Sequence, residues 1–310
     1  MAWETDTVAD VSELLEAIRT FVTTHADLVA DGQEWSEHAW DGTLKAGHFN
    51  APGLDGTETV VVGFRANRSV DLDAYTIGFV VAQAYNGAFS FTGQPGTSAE
   101  RFTPIHDSPM EYWLFANGRR LIGVVKVSTV YTSFYVGKIL PWGTTGDYPL
   151  PLFLGTNHNL ATTRFSLDSD DLRMFCDPGL GCQILKPSLI WEEVQNYSTG
   201  AGITSPAFTK TKTLPYASNI NTGAVLTTTQ GRDIFRAMRD NIDGSYSVIP
   251  IVLHSDTTDQ EIFGELDGVY AVSGFDNFAE NEITIGADDY LVFQNISRTG
   301  RADYMAIKKE

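Results

Sequence analysis

Positive charge is what this sequence has least of. Its 310 residues carry 21 Lys and Arg against 39 Asp and Glu, a formal net charge of −18. A protein that binds nucleic acid needs Lys and Arg clustered on one face to meet the phosphates. The composition therefore argues against a general nucleic-acid binder, and we expect no nucleic-acid partner.

Long apolar runs and a basic leader are also missing. No apolar run approaches the roughly 20 residues that a membrane-spanning helix requires. The first residues, MAWETDTVADVSELLEA, are acidic where a signal peptide is basic. We therefore expect no membrane partner and no secretion by the signal-peptide route.

Cysteine is scarce, with only Cys176 and Cys182, in the segment FCDPGLGC. Their spacing would allow a small disulfide loop or half of a metal site. For a protein made in the cytosol, two reduced thiols around a Pro-Gly turn are the favoured interpretation.

Apolar residues and glycine are plentiful. The sequence is 43% hydrophobic and 12% aromatic with 28 Gly, which favours many strands joined by tight turns around a substantial core. We expect a mainly β protein of antiparallel, sandwich- or barrel-like units with one N-terminal helix and a loop-rich middle insertion. No repeat of fixed period is present, which argues against a solenoid or propeller.

Four stretches follow from these patterns. They are an N-terminal helical segment (1–33), a β domain (34–142), a loop-rich insertion (143–244) and a C-terminal β unit (245–310) that packs on 34–142. The insertion is rich in Thr, Asn, Ser, Gly and Pro, and within it GRDIFRAMRDN, residues 231–241, predicts a short helix.

The predicted N-terminal helix has one apolar stripe. Apolar residues recur at steps of three and four, and Thr7 with Asp10 suits the helix start. The stripe would pack on a sheet of the same chain, which is the favoured interpretation, or on another subunit. Its members are Val8, Val11, Leu14, Leu15, Ile18, Phe21 and Val22.

The strongest hairpin signal lies in EYWLFANGRRLIGVVKVSTVYTSFYVGKILPW. Asn117-Gly118 stands between two apolar runs, and this pair of residues tolerates the positive φ angles of a type I′ turn. The sequence therefore predicts a two-residue turn at Asn117 and Gly118.

Acidic residues are concentrated in two sections. Residues 1–60 contain twelve acids against Arg19 and Lys45, and residues 240–297 contain twelve acids and no Lys or Arg. Such asymmetry concerns partners more than fold. One interpretation is a solubilising surface. The other is that these sections meet basic surfaces of a neighbouring subunit, around Arg119–Arg120 and residues 210–239.

No motif for metal or cofactor binding is found. The six histidines lack metal-site spacing, and we expect His25 at a helix end and the others on the surface or in loops. Asp168, Asp170 and Asp171 resemble the start of a calcium loop, but the sixth and twelfth positions hold Arg173 and Gly179 instead of Gly and Glu.

A pair of carboxylates for cleaving glycosidic bonds leaves no local spacing, and Glu192 and Glu193 beside Trp191 are the first place to look for one. A solvated strand edge is the favoured interpretation of these two acids. The sequence thus predicts no catalytic, cofactor-binding or metal-ligating residue, and no enzyme.

Four segments resemble a family of tailed-bacteriophage virion structural proteins that are described as tail- or baseplate-associated. They are WETDTVADVSELLEAIRTFV, APGLDGTETVVVGFR, YWLFANGRRLIGVVKVSTVYTSFYVGKILPW and GELDGVYAVSGFDNFAENEITIGADDYLVFQNISRTGRADYMAIKK. The resemblance implies a virion component assembled in the host cytoplasm in several copies. It implies contacts with its own copies and with other tail or baseplate proteins, without a cofactor.

Three other functions stay open at this point. A receptor- or carbohydrate-binding virion module is the first alternative, and solvent-facing aromatic residues among the loops of 143–244 would favour it. A capsid-decorating protein and a glycan depolymerase are the others.

Overall fold

A computed structural model of the chain describes residues 1–144, 146–165, 172–195, 211–216, 244–255 and 261–309. These residues form a mainly β protein with its helices near the N-terminus, which confirms the predicted class. The helices are α1 (Val11–Thr24) and α2 (Ala26–Ala30). The strands are β1 (Ala2–Val8), β2 (Ser36–Asp41), β3 (Ala46–Ala51), β4 (Val60–Ser69), β5 (Ala74–Ala82), β6 (Arg101–Ile105), β7 (Met110–Ala116), β8 (Arg120–Val127), β9 (Val130–Lys138), β10 (Leu140–Pro141), β11 (Leu152–Gly155), β12 (Cys182–Leu185), β13 (Trp191–Val194), β14 (Thr211–Leu214), β15 (Val248–Ser255), β16 (Ile262–Val272), β17 (Glu282–Ile285), β18 (Asp288–Gln294) and β19 (Tyr304–Lys308).

Two sheets hold these strands. The small sheet has the order β2-β3-β4-β5-β6, and the large sheet has the order β1-β7-β8-β9-β11-β12-β13-β14-β15-β16-β19-β18-β17, with β10 paired to β16. The described pairings are antiparallel except that between β13 and β14. Strands from all four predicted stretches contribute, since the large sheet starts with β1 and continues through β11–β14 into the C-terminal strands.

The large sheet curls on itself, so that β7, β8 and β9 form a middle layer that is buried on both faces. One face packs against α1 and the small sheet, and the other packs against β16, β18 and β19. Trp113 of β7 meets Phe293 of β18 with ring centres 5.3 Å apart. Long apolar runs are typical of strands buried on both faces, which is why the sequence of this hairpin is so hydrophobic.

The N-terminal helix packs in cis. Its stripe is fully buried against the small sheet and the middle layer, as the spacing predicted. Asp10 caps the helix, with Oδ1 accepting from the backbone N–H groups of Ser12 at 2.6 Å and Glu13 at 3.0 Å. The prediction was wrong for Thr7 and Val8, which belong to β1. Each residue from Ala2 to Val8 pairs with a residue of β7. This segment therefore forms a strand, and the helix begins only after it.

The hairpin at Asn117 exists, but the predicted type I′ turn is wrong. The Asn117 N–H donates to the Arg120 carbonyl at 3.1 Å, so Gly118 and Arg119 are the central residues. Neither Asn117 nor Gly118 has a positive φ angle. A Cβ on Gly118 would lie 2.0 Å from the Gly53 carbonyl oxygen, so the close approach of another backbone segment explains this glycine.

Candidate functional site

The small sheet has two faces of opposite character. Side chains alternate along a strand, so neighbouring residues of β3, β4 and β5 point to opposite sides. The inner face carries fully buried Phe49, Phe64 and Phe79, and the rings of Phe49 and Phe64 stack with centres 4.6 Å apart. The outer face carries His48 and Arg65, and we take it as the candidate functional site.

Two glycines shape the outer face. A Cβ on Gly63 would lie 2.7 Å from Val80 Cγ2 and 3.0 Å from His48 Cδ2. A Cβ on Gly78 would lie 2.1 Å from the Glu100 carboxylate oxygen Oε1. The imidazole of His48 and the carboxylate of Glu100 can therefore lie directly on bare backbone, because no side chain stands beneath them.

Residues 83–99, here called the aromatic loop, cover this face. Phe91 anchors the loop, because its carbonyl oxygen lies 3.3 Å from His48 Nε2 and its ring centre lies 4.6 Å from the Arg65 guanidinium carbon. Arg65 also donates two hydrogen bonds to Glu100, at 2.7 and 2.6 Å. One arginine thus fixes both the middle of the loop and the residue that follows it.

Ring contacts extend the anchor to the edge of the sheet. His38, the extra residue of a bulge in β2, stacks on Tyr85 with ring centres 4.4 Å apart and planes 4° from parallel. The ring of His48 lies 5.8 Å from Tyr85 and 6.0 Å from Phe89. Phe89 remains 46% exposed, so the cluster runs from the buried His48 out to solvent.

Hydrogen bonds within the aromatic loop centre on Gln94, which is 3% exposed. Its side-chain nitrogen donates to the carbonyls of Ala88 and Ser90, both at 2.9 Å. Its side-chain oxygen accepts from the backbone N–H of Asn86 at 3.0 Å. These three bonds tie both limbs of the loop tip to one side chain, which gives the tip a defined shape.

Burial sets the protonation state of His48. Loss of water lowers the pKa of its imidazole below the ordinary value, against the opposing effect of the Phe91 carbonyl, and nearby His38 lowers it further. The Nδ1 atom of His48 is buried and accepts no hydrogen bond from the described protein atoms. Two other buried polar atoms on the same face, Asn50 Oδ1 and Asn67 Nδ2, likewise form no hydrogen bond with the described protein atoms.

A second surface feature is the open edge of β1, which ends the large sheet. Thr5, Asp6 and Thr7 are exposed. Among the residues that the structure describes, neither Glu4 nor Asp6 forms an ion pair with Lys or Arg, although Glu4 accepts a hydrogen bond from the Tyr112 hydroxyl at 3.2 Å. Burial raises the pKa of Glu4 in spite of that bond. The edge is therefore acidic, with backbone groups on one side of the strand free of the β7 ladder.

Most described Lys and Arg side chains form ion pairs with carboxylates of the same chain. Lys212 is buried, Arg298 donates to the Leu172 carbonyl, and Arg301 lies over the Phe275 ring. Most cations of the described residues are thus engaged within the chain.

This distribution corrects the basic surface expected around Arg119–Arg120. Arg120 is fully buried, with its Nε 3.3 Å from Asp267 Oδ2, and Arg119 pairs with Glu58 at 3.5 Å. Through these ion pairs the two arginines attach the turn between β7 and β8 to other parts of the chain. They therefore cannot serve as an exposed basic patch. Most of residues 210–239 lie outside the described residues.

Glu192 and Glu193 are not brought together. They are consecutive in β13, so their side chains point to opposite faces. Glu192 pairs with Lys186 at 3.2 Å and accepts from Thr211, whereas Glu193 pairs with Arg101 at 3.3 Å. Each carboxylate therefore has its own partners.

Other expected positions had mixed outcomes. Cys176 and Cys182 are free, buried thiols, as favoured. His25 ends α1, as expected, but His48 is a fully buried strand residue and the prediction of a surface or loop position was wrong. It is buried because the aromatic loop folds over β3, which the strand pattern alone does not reveal. Asp168, Asp170, Asp171 and the predicted helix at 231–241 lie outside the described residues.

The aromatic loop was not among the candidate sites predicted from the sequence. Its signal is nonetheless present, because residues 83–99 contain no charged side chain in a protein of net charge −18, and they contain Tyr85, Phe89 and Phe91. In the part of the chain that is described, no helix is long and apolar enough to cross a membrane, and no group of three or more His, Cys, Asp or Glu could hold a metal ion. No protein-family model matches this sequence, and no curated protein matches it either.

Proposed function

We propose that this chain is a structural protein of a bacteriophage virion, part of the tail or baseplate, which acts by subunit contacts without catalysing a reaction. It assembles in the host cytoplasm with its own copies and with other tail or baseplate proteins. The resemblance of four long segments to virion structural proteins motivates the proposal. The acidic open edge of β1 is the observation that supports it best.

The charge pattern at this edge favours a different protein as the partner over a second copy of this chain. If two copies paired antiparallel through β1 about Thr5, Glu4 of one copy would lie opposite Asp6 of the other, and like charges at opposed positions destabilise a strand pair. An extended segment with Lys or Arg at alternate positions would instead meet both carboxylates and complete the ladder. The basic side of the contact thus belongs to a different protein.

The experiment that tests the proposal is cryo-electron microscopy of intact particles, with dissociated particles analysed by mass spectrometry. We expect this chain in the tail or baseplate, with several copies in contact. If the chain were absent from purified particles, or present only inside the host cell, the proposal would be wrong.

Salt dependence tests the electrostatic part separately. Exposed charge pairs are screened over a Debye length of about 10 Å at 0.1 M salt. We expect the contact between the β1 edge and its basic partner to weaken as the salt concentration rises. The double variant Glu4→Gln with Asp6→Asn should weaken the same contact at low salt. A contact that is indifferent to both changes would remove the acidic edge from the proposal while leaving the location in the particle intact.

A further inference from the structure

The aromatic loop differs from the surface around it in charge. Every residue from Gln83 to Ala99 is uncharged, yet the flanking strand β2 and the turn before it contain Glu34, Glu37 and Asp41. A solvated loop in an acidic protein has no need to exclude charge. Recognition surfaces do have that need, because charged residues are depleted and aromatic residues enriched where a partner removes water.

The tip of this loop is preorganised. Gln94 holds both limbs through its three hydrogen bonds, and the Asn86 side chain adds a bond to the Gly93 carbonyl at 3.2 Å and accepts one from the Ala88 N–H at 2.9 Å. A loop ordered before binding loses little conformational entropy when a ligand arrives. The mixture of Tyr, Phe, Ser, Gly and Asn is also typical of binding loops, in which rigid rings supply area and small polar groups supply hydrogen bonds.

Phe89 supplies a stacking surface at that tip. Its ring contacts His48 edge to face, with planes 83° apart, and the side chain is 46% exposed. His48 is itself fully buried, so the ring of Phe89 rests on a fixed base. Exposed hydrogen-bonding side chains lie on either side in the sequence, namely Asn86, Ser90 and Thr92.

This combination fits one class of ligand. A pyranose ring has a face of C–H groups that packs on an aromatic ring and a rim of hydroxyls that both donate and accept hydrogen bonds. A basic peptide would require carboxylates, which the loop lacks, and nucleic acid is excluded by the acidic surroundings. An uncharged sugar is neither attracted nor repelled by those carboxylates.

We propose that the tip of the aromatic loop is a binding site for uncharged pyranose units of a glycan, with Phe89 as the stacking residue and Asn86, Ser90 and Thr92 as the polar contacts. This goes beyond the proposed structural role and does not depend on where in a particle the chain sits. Charged glycans, which carry carboxylates or sulfates, bind less well because the surrounding surface repels them.

The test uses the full chain on an array of uncharged pyranosides (glucose, galactose, mannose, rhamnose and N-acetylglucosamine) together with neutral and acidic bacterial polysaccharides. Saturation-transfer NMR then measures the hits in solution. We expect the wild-type chain to bind neutral glycans in preference to acidic ones. Phe89→Ala should weaken binding about tenfold, a change of about 1.4 kcal/mol, because the variant loses the stacked ring and the apolar area that it buries.

A matched control is available elsewhere on the molecule. Phe278 is 61% exposed, more than Phe89, and lies in the loop between β16 and β17, so Phe278→Ala removes an exposed ring from a surface with no assigned role. We expect Phe278→Ala to bind as the wild type does. Gln94→Ala, which frees the loop tip without touching Phe89, should weaken binding as well.

Three results would overturn the inference. They are a blank array for the wild-type chain, binding that survives Phe89→Ala, and equal losses in Phe89→Ala and Phe278→Ala. A blank array together with capture of another virion protein by the loop would assign the loop to a protein contact instead. None of these results bears on whether the chain is found in the tail or baseplate, so the two proposals can fail separately.

Discussion

The inner and outer faces of the small sheet come from alternate residues of the same strands, yet the inner face packs in the core and the outer face supports a loop. On the inner face Phe49, Phe64 and Phe79 join the main core with no exposed surface. On the outer face the small residues Gly63 and Gly78, beside His48, leave room for the aromatic loop to pack on the sheet. The inner face provides stability, whereas the outer face positions the aromatic loop, and substitutions on the two faces should therefore differ in kind.

The largest expected effect is on the inner face. Phe64→Ala removes a fully buried ring that stacks on Phe49, and we expect a loss of about 3–5 kcal/mol in the free energy of unfolding. Urea unfolding followed by tryptophan fluorescence measures it. Phe278→Ala, at an exposed position, should change the same quantity by no more than about 0.5 kcal/mol. Similar losses for both variants would contradict the assignment of Phe64 to the core.

The second effect is on the outer face. Gly63→Ala places a methyl group against Val80 and the His48 ring, and overpacking of this kind costs about 1–3 kcal/mol. Ring-current shifts of the His48 protons in NMR spectra should change with it. Gly143→Ala is the control, because a Cβ there meets no atom within 4 Å. Unchanged His48 signals in Gly63→Ala would show that the imidazole does not rest on this glycine.

The third effect depends on pH. Burial lowers the pKa of His48 from its ordinary value of 6.5, so the unfolded chain takes up the proton first as the pH falls. The stability that neutral His48 contributes is therefore fully present above pH 6.5 and is lost as the pH falls through the interval below it. His48→Gln keeps a donor for the Phe91 carbonyl but cannot titrate.

The measurement is the free energy of unfolding of both proteins from pH 8 to pH 5. We expect the wild type to lose more stability than His48→Gln as the pH falls below 6.5, and the two to run parallel above it. Parallel curves over the whole range would mean that His48 titrates alike in the folded and unfolded chain. His38, whose pKa burial also lowers, is present in both proteins.

The smallest effect on global stability is expected at Arg65. Its side chain is 37% exposed, so Arg65→Lys, which loses the paired hydrogen bonds to Glu100 and the contact with Phe91, should cost less than about 1 kcal/mol. Hydrogen exchange in residues 83–99 should nevertheless accelerate. Arg164→Lys, at a more exposed ion pair with Asp73, should leave exchange in the loop unchanged. Equal exchange in both variants would contradict the anchoring role of Arg65.

Several features could be predicted from particular residues. The stripe from Val11 to Val22 identified α1 and its buried side, because a helical period of apolar residues has one stable placement. The hairpin at Asn117 was found from its flanking apolar runs, but its turn type was wrong, because the approach of Gly53, far away in the chain, selects glycine at 118. The strand at Ala2–Val8 was missed for a related reason, since its pairing partner β7 lies about a hundred residues away.

The sequence by itself determined the β class, the apolar face of the N-terminal helix and the excess of acid, and it favoured free thiols at both cysteines, because these follow from composition and short-range periodicity. Tertiary structure alone decided that the arginines at 119 and 120 turn inward, that Glu193 pairs with Arg101, and that His48 lies beneath an uncharged aromatic loop. The physical reason is that each of these depends on a contact between segments distant in the chain, and local patterns carry no information about which distant segments meet.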